Sequence, residues 1–185
     1  MSTDVSASLP TSGALPSSPV AWLVFGWGLL GVSGILLSPI LRLGVVALET
    51  VQAGLTPVQW GVTAVWCVFM VYAEGWRGFH KQFSPRVVVR ALGLAASLPA
   101  LPAVLAPFTC MGLLHATRKR LIVSWCLLIG IVLLIVGVRQ LPAPWRGIVD
   151  VGVVLGLSTG LLSIWYYTVR ALTGAPPTVP SDLPA

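Results

Sequence analysis

The segment Tyr72–Arg86, with the sequence YAEGWRGFHKQFSPR, decides how the rest of the chain is organised. It begins where one apolar segment ends, and a second basic cluster, HATRKR, follows at residues 115–120. Together with the proline-broken apolar segment between them, these two clusters hold most of the basic residues and both histidines. Because the remaining chain is mainly apolar segments and short tails, this region divides it into an N-terminal and a C-terminal apolar part.

The composition is that of an integral membrane protein. The mean hydropathy is +0.92, and only 9% of the 185 residues are charged, whereas soluble proteins have roughly a quarter. Four apolar windows have about the length that a helix needs to cross roughly 30 Å of hydrocarbon. Alternating polar and apolar strands are absent from the sequence. We therefore predict an all-α, polytopic transmembrane helical bundle.

The predicted domain is a single helical unit over residues 20–172. The flanking segments 1–19 and 173–185 are rich in proline and small residues, and we expect disordered tails there. Thr56 followed by Pro57 is typical of a helix start. Pro39 should bend the chain, with the residues after it continuing the helix or lying in the membrane interface. The four predicted spans cover residues 20–38, 57–74, 121–138 and 147–172.

The segment 86–116 is open to two interpretations, because Pro99, Pro102 and Pro107 interrupt it. It is either a re-entrant or interfacial hairpin, or a fifth span. A hairpin would place most Lys and Arg residues on one side of the membrane, and a fifth span would divide them nearly evenly. Cytoplasmic loops are enriched in Lys and Arg. This rule favours four spans with both termini cytoplasmic, and five spans are the alternative.

The clearest motif is a ridge of three glycines, Gly152, Gly156 and Gly160, in the last predicted span. Glycines at every fourth position allow two helix backbones to approach closely, so these are predicted helix-packing residues. The partner is either another helix of the same chain or a second protein, which would make the chain part of a homo-oligomer or of a complex with a membrane partner.

The chain has a formal net charge of +6, and its basic residues lie beside apolar segments. This position favours contact with the anionic headgroups of a lipid bilayer and argues against a nucleic-acid-binding surface. The residues predicted to bind headgroups are Arg77, Lys81, Arg86, Arg90, Arg118, Lys119 and Arg120.

Two acids are candidates for a polar site. Glu74 precedes Arg77 by three residues, within reach of an ion pair, and could otherwise carry a proton or act as a general base. Asp150 follows Arg146 by four residues, and the pair either locks a turn or lines the path of a solute or ion.

Histidines and cysteines give weaker indications. His80 and His115 share one side of the membrane only if segment 86–116 re-enters, and they could then form a metal site or an acid–base pair with Glu74 and Cys110. Their spacing matches no metal motif, so we predict no metal and no cofactor. Cys67, Cys110 and Cys126 lie in apolar segments, and we expect reduced core residues.

The predicted function is that of a non-enzymatic accessory or scaffolding subunit that binds a membrane partner or anionic lipid. It follows mainly from missing signatures: the chain has no Walker A loop, no G-x-S-x-G motif and no dinucleotide fingerprint. One alternative is an enzyme acting on a lipid headgroup at the cytoplasmic face, with Glu74 or His80 as acid or base. Another is a small-solute or ion carrier that uses Asp150. The compact size and short tails favour a bacterial inner membrane.

Overall fold

A computed structural model describes residues 15–96, 103–114 and 118–180 of the chain. Within these ranges all regular structure is helical, as predicted. The elements are α1 (Pro19–Gln52), α2 (Pro57–Met70), a π-helical segment (Val71–Phe83), α3 (Ser84–Ala96), a 3₁₀ turn (Ala103–Leu105), α4 (Ala106–Met111), α5 (Arg118–Val138) and α6 (Trp145–Leu172).

Helix α1 continues through Pro39 to Gln52, which is the first of the two outcomes expected for this segment. It begins with Pro19 in its first turn, where a missing N–H costs no hydrogen bond. The Ser18 hydroxyl accepts a hydrogen bond of 3.1 Å from the backbone N–H of Ala21. The chain therefore enters its first helix through a standard capped start.

Helix α2 begins at Pro57, as predicted, and its start is a complete capping box. The N–H of Gln59 donates to the Thr56 hydroxyl at 3.4 Å. In return, the N–H of Thr56 donates to the Gln59 side-chain oxygen at 2.9 Å. Two backbone donors that a helix start leaves unpaired are thereby satisfied.

The polar segment after α2 remains helical. The second predicted span ends at residue 74, but the helix does not end there, because α2, the π-segment and α3 follow one another directly. Val71 and Ser84, at the two junctions, both have right-handed helical backbone angles. A π-helix is wider than an α-helix because its hydrogen bonds reach one residue further. The helix thus continues along α6, where Glu74, Phe79 and His80 contact it.

The helix directions follow from contacts at the two ends of α6. Thr50, near the end of α1, lies against Gly147, near the start of α6. At the other end, Ala21 and Ala171 are buried in the same apolar cluster. Helices α1 and α6 are therefore antiparallel. Helix α2 and the π-segment run parallel to α6, since successive residues along them meet successive glycines of α6.

The buried core lies between α1, α3 and α6, and α4 closes it from one side. Pro107 of α4 packs against Gly31, and the Cys110 thiol packs against Gly28. The core cluster consists of Ala21, Phe25, Leu29, Val32, Leu36, Val87, Val88, Ala91, Leu92, Ala95, Cys110, Ile164 and Ala171.

Helix α5 differs from the other long helices because it contributes no residue to the described core. From Ile129 to Gly137 every residue is exposed. The exposed large side chains include Ile122, Trp125, Ile129, Ile131, Val132, Leu133, Leu134, Ile135 and Val136. The second half of this aliphatic helix, residues 129–137, is thus left without a covering surface in the described part of the chain.

Within the described residues, α1 and α6 are each long and apolar enough to cross a membrane. This combination points to membrane association, and a buried helix of a soluble protein can share it. Helices also occupy the other two predicted ranges, 57–74 and 121–138, but their role as spans stays a prediction. The predicted segment 86–116 contains α3 and α4, and its residues 97–102 and 115–116 lie outside the described part.

Candidate functional site

The glycine ridge of α6 faces α2 and the π-segment of the same chain. A Cβ atom at Gly152 would meet the Trp66 indole. One at Gly160 would meet the ring of Phe79. The ridge is therefore covered within the chain, and it does not provide a free surface for a second protein.

Small residues on both sides bring the π-segment and α6 together. Gly75 is buried against Thr159, and a Cβ there would lie 2.9 Å from the Thr159 Cβ. The Ser84 hydroxyl donates to the carbonyl of Gly160 at 3.4 Å. At this separation the Ser84 side chain, at the start of α3, reaches the backbone of α6.

Glu74 is half-buried between the two helices. A Cβ at Gly156 would lie 2.8 Å from its Oε2 atom, so the carboxylate occupies the space that this glycine leaves. Within the described part of the chain, no hydrogen bond or ion pair reaches this carboxylate. The predicted partner, Arg77, is exposed. The structure therefore does not bring Glu74 and Arg77 together.

His80 lies in an aromatic cluster that the sequence did not reveal. Its ring stacks on Trp76 with a centroid distance of 4.6 Å and an angle of 12°. Tyr167 and Tyr166 lie on the α6 side, at centroid distances of 5.1 and 5.7 Å. The ring therefore bridges the π-segment and α6.

Ser163 is the hydrogen-bonding partner of His80, with 3.1 Å between its hydroxyl and Nδ1. It follows Gly160 by three residues, so its position on the ridge face was the signal that could have identified it. The two groups can exchange a proton. However, Ser163 is only 5% exposed, so a substrate cannot reach its hydroxyl in this conformation.

The predicted pair of His80 and His115 is not tested, because His115 lies outside the described part of the chain. Among the residues that the structure does describe, no three or more His, Cys, Asp or Glu side chains form a group that could hold a metal ion.

The predicted headgroup-binding residues lie in different environments. Arg77, Lys81 and Arg118 are exposed. Arg86 is partly buried and donates to the Gln82 carbonyl at 2.8 Å. The side chains of Lys119 and Arg120, in the first turn of α5, lie outside the described part.

Arg90 departs from the prediction because it is 2% exposed. Its guanidinium donates to the carbonyl of Cys110 at 3.2 Å. It lies so close to Gly112 that a Cβ there would be 2.6 Å from the Arg90 Nη1. Gly112 itself has a φ of 77°, which favours glycine. Arg90 therefore links α3 to the end of α4, and its buried side chain does not lie on the surface, where the prediction places it.

Asp150 and Arg146 lie together at the start of α6, with 3.9 Å between Nε and Oδ2. Asp150 is 3% exposed. Its Oδ2 atom accepts no hydrogen bond from the described residues. Helix α2 packs next to Asp150, since the Trp66 indole N–H donates to the carbonyl of the preceding residue, Val149, at 3.2 Å. The site is thus a buried carboxylate with a distant, half-exposed counter-charge.

The cysteines do not form one class. Cys110 is buried, and burial raises the pKa of its thiol to about 12 even though the Arg90 charge acts in the opposite direction. Cys67 is partly buried. Cys126 is exposed on α5, so the expectation that all three are core residues is wrong for this position.

A shallow apolar groove of about 490 Å³ runs along the outside of α2 and the π-segment. Its lining residues are Cys67, Val68, Val71, Tyr72 and Trp76. Trp76 thus belongs both to this groove and to the aromatic cluster around His80.

Comparison with protein-family models, with curated proteins and with solved structures finds no match for this chain.

Proposed function

We propose that this chain is a small, multi-pass membrane protein that acts as a non-enzymatic accessory or scaffolding subunit and binds a membrane partner through α5. The observation that carries the proposal is the uncovered aliphatic surface of α5. Exposing such a surface to water costs roughly 25 cal/mol for each square ångström of apolar area. Lipid, or a transmembrane helix of another protein, removes that cost.

The arrangement of α6 supports α5 as the docking helix. The sequence leaves the glycine ridge open as an interface with a second protein, but Trp66, Glu74 and Phe79 already fill it. No equivalent residues cover α5 in the described part of the chain. A partner helix therefore finds its apolar surface on α5, and the exposed cations Arg77, Lys81 and Arg118 lie available for anionic headgroups.

The proposed topology has four spans over 20–38, 57–74, 121–138 and 147–172, with residues 86–116 returning to the side from which they start. The buried Arg90 supports the return, because its bond to Cys110 holds α3 and α4 together. In this topology both termini are cytoplasmic and the turn around Gln140 faces outward. A bacterial inner membrane is the location that fits these features.

Topology is tested by single cysteines at three exposed positions, Gln82, Gln140 and Ala175, in a chain whose native cysteines are replaced. A membrane-impermeant thiol reagent should label Gln140→Cys on intact cells. It should label Gln82→Cys and Ala175→Cys only after the membrane is opened. Labelling of all three on intact cells, or release of the protein by alkaline carbonate, would overturn the membrane proposal.

Partner binding is tested by photo-crosslinking in the native membrane. A photoreactive amino acid at Leu133 of α5 should form one discrete adduct. The matched control is Leu162 of α6, which is equally apolar and similarly exposed, 71% against 66%. An adduct of twice the mass identifies a second copy as the partner, and another mass identifies a different protein. If Leu133 gives no adduct, or Leu162 gives the same one, α5 is not a docking helix.

A further inference from the structure

We propose that the outer face shared by the π-segment and α6 is a binding site for one anionic phospholipid, with its headgroup along the rings that separate Lys81 from Arg170 and one acyl chain in the groove along α2. This inference rests on the membrane location proposed above. It adds a defined ligand and residues that the sequence did not assign, namely Trp76, Tyr166 and Arg170.

The site is a continuous series of rings with a cation at each end, which we call the ring ladder: Lys81, Trp76, His80, Tyr166 and Arg170. At one end the Lys81 ammonium lies 5.6 Å from the Trp76 ring centroid. At the other end the Arg170 guanidinium lies 6.0 Å from the Tyr166 ring centroid. Contacts of this kind hold a cation against a ring face while its charge stays accessible.

Both cations are available to a ligand. Lys81 and Arg170 are exposed, and within the described residues neither has a carboxylate partner. Arg170 is also the residue at which the apolar run of α6 ends. Tyrosine and tryptophan beside Lys and Arg at such a position are typical of the headgroup level of a bilayer. The ring ladder therefore has the composition expected where lipid phosphates lie.

His80 supplies a third group toward the same ligand. When the Ser163 hydroxyl donates to Nδ1, the proton of the neutral imidazole lies on Nε2. The described residues provide no acceptor for that proton. Since the ring lies between Trp76 and Tyr166, its Nε2–H can be donated to a phosphate oxygen of a headgroup that lies along these rings.

The groove distinguishes a phospholipid from a free phosphate. It begins at Trp76, in the ring ladder, and extends along α2 to Cys67, away from the cations. Nine residues of helix cover about 13 Å, enough for a substantial part of an acyl chain. Its lining is almost entirely apolar. A charged end that continues into an apolar groove matches the shape and polarity of a phospholipid.

The test uses the full chain purified in detergent and native mass spectrometry to count bound lipids during titration. Phosphatidylglycerol should bind more tightly than phosphatidylcholine. Inorganic phosphate at the same concentrations should not displace it. Displacement by inorganic phosphate would show an anion site without an acyl chain and would overturn the lipid proposal.

Two kinds of variant locate the site. The double variant Lys81→Gln, Arg170→Gln should lose about 25-fold in phosphatidylglycerol affinity, because each cation near an anionic surface contributes about fivefold. The matched control is Arg42→Gln, which removes an exposed cation from α1 and should change the affinity less than about twofold. An equal loss in the control would show general charge attraction in place of a site.

The groove is tested separately by Val68→Trp, which fills it without changing the charge. This variant should weaken phosphatidylglycerol binding while leaving the helical circular dichroism spectrum unchanged. Wild-type affinity in both this and the double variant overturns the inference. If these variants remain in carbonate-washed membranes, only the lipid site fails, whereas release of the wild-type chain by carbonate refutes the proposed function itself.

Discussion

Helices α5 and α6 resemble each other in sequence but have opposite environments. Both are apolar, with 21 and 28 residues, and both contain glycines. The ridge glycines of α6 are covered by side chains from α2 and the π-segment. At Gly130 and Gly137 of α5, by contrast, an added Cβ atom would meet no described neighbour within 4 Å.

The difference shows that regularly spaced glycines form a packed interface only when a second segment supplies side chains that fit against them. The ridge of α6 is filled because another segment presents a large side chain at each step: Trp66 opposite Gly152, Glu74 opposite Gly156 and Phe79 opposite Gly160. Helix α5 has small residues but no such segment within the described chain. Apolar length alone therefore does not distinguish a helix that packs within the bundle from one whose apolar side chains stay exposed.

The largest expected effect comes from enlarging the ridge. Gly160→Leu should lower the free energy of unfolding by about 3 kcal/mol, because the rigid ring of Phe79 occupies the required space and overpacking has a cost of this order. The measurement is unfolding in mixed micelles of increasing denaturing detergent, followed by circular dichroism. Gly130→Leu is the control in α5 and should leave the transition unchanged. Equal destabilisation by both substitutions would show that the glycines of α5 are packed as closely as those of α6.

A smaller effect is expected at the start of α6, where its polar pair lies. Arg146→Gln should destabilise the chain by about 1 kcal/mol, since it leaves the Asp150 charge buried without its counter-charge, although the pair is long and partly exposed. In an Asp150→Asn background the same change should have almost no effect. Arg139→Gln, an exposed arginine just after α5, is the control. If Arg146→Gln still lowered the free energy of unfolding by about 1 kcal/mol in the Asp150→Asn background, Arg146 would stabilise the chain independently of Asp150.

The smallest effect is spectroscopic and compares one tryptophan from each environment. Trp125 of α5 is 48% exposed, whereas the Trp66 indole packs on α6 and is hydrogen-bonded there. In vesicles containing brominated lipid, Trp125→Phe should reduce the quenchable fluorescence by the share of one residue. Trp66→Phe should reduce mainly the unquenched part. The opposite result would place α5 inside a packed interface.

Local features were predictable because they depend on neighbouring residues. The Thr56–Pro57 start was correct since a capping box involves only a few consecutive residues. The helical character of 121–138 and 147–172 followed from long, mainly apolar sequence without proline. Arg90 and Cys126 were misplaced because burial depends on what covers a residue, and a sequence window contains no information about that covering.

The candidate site was predictable only in part. Glu74, His80 and the ridge glycines were each identified as residues of interest. That Glu74 lies against Gly156, and that His80 meets Ser163, could not be foreseen. These partners are about 80 positions apart in the chain. Arg77 was the nearer candidate for Glu74, yet helical continuation through the π-segment leaves Arg77 exposed.

The amino-acid sequence by itself determined that this chain is helical and strongly apolar, where α2 begins, and that α6 carries a surface without side chains. Each of these properties follows from composition or from spacing within one helix. Only the tertiary structure decided that the polar segment 72–86 lies along that surface, that Arg90 is buried and that α5 is not covered by the described residues. The physical reason is that close packing requires two complementary surfaces, and the second surface comes from a distant part of the chain.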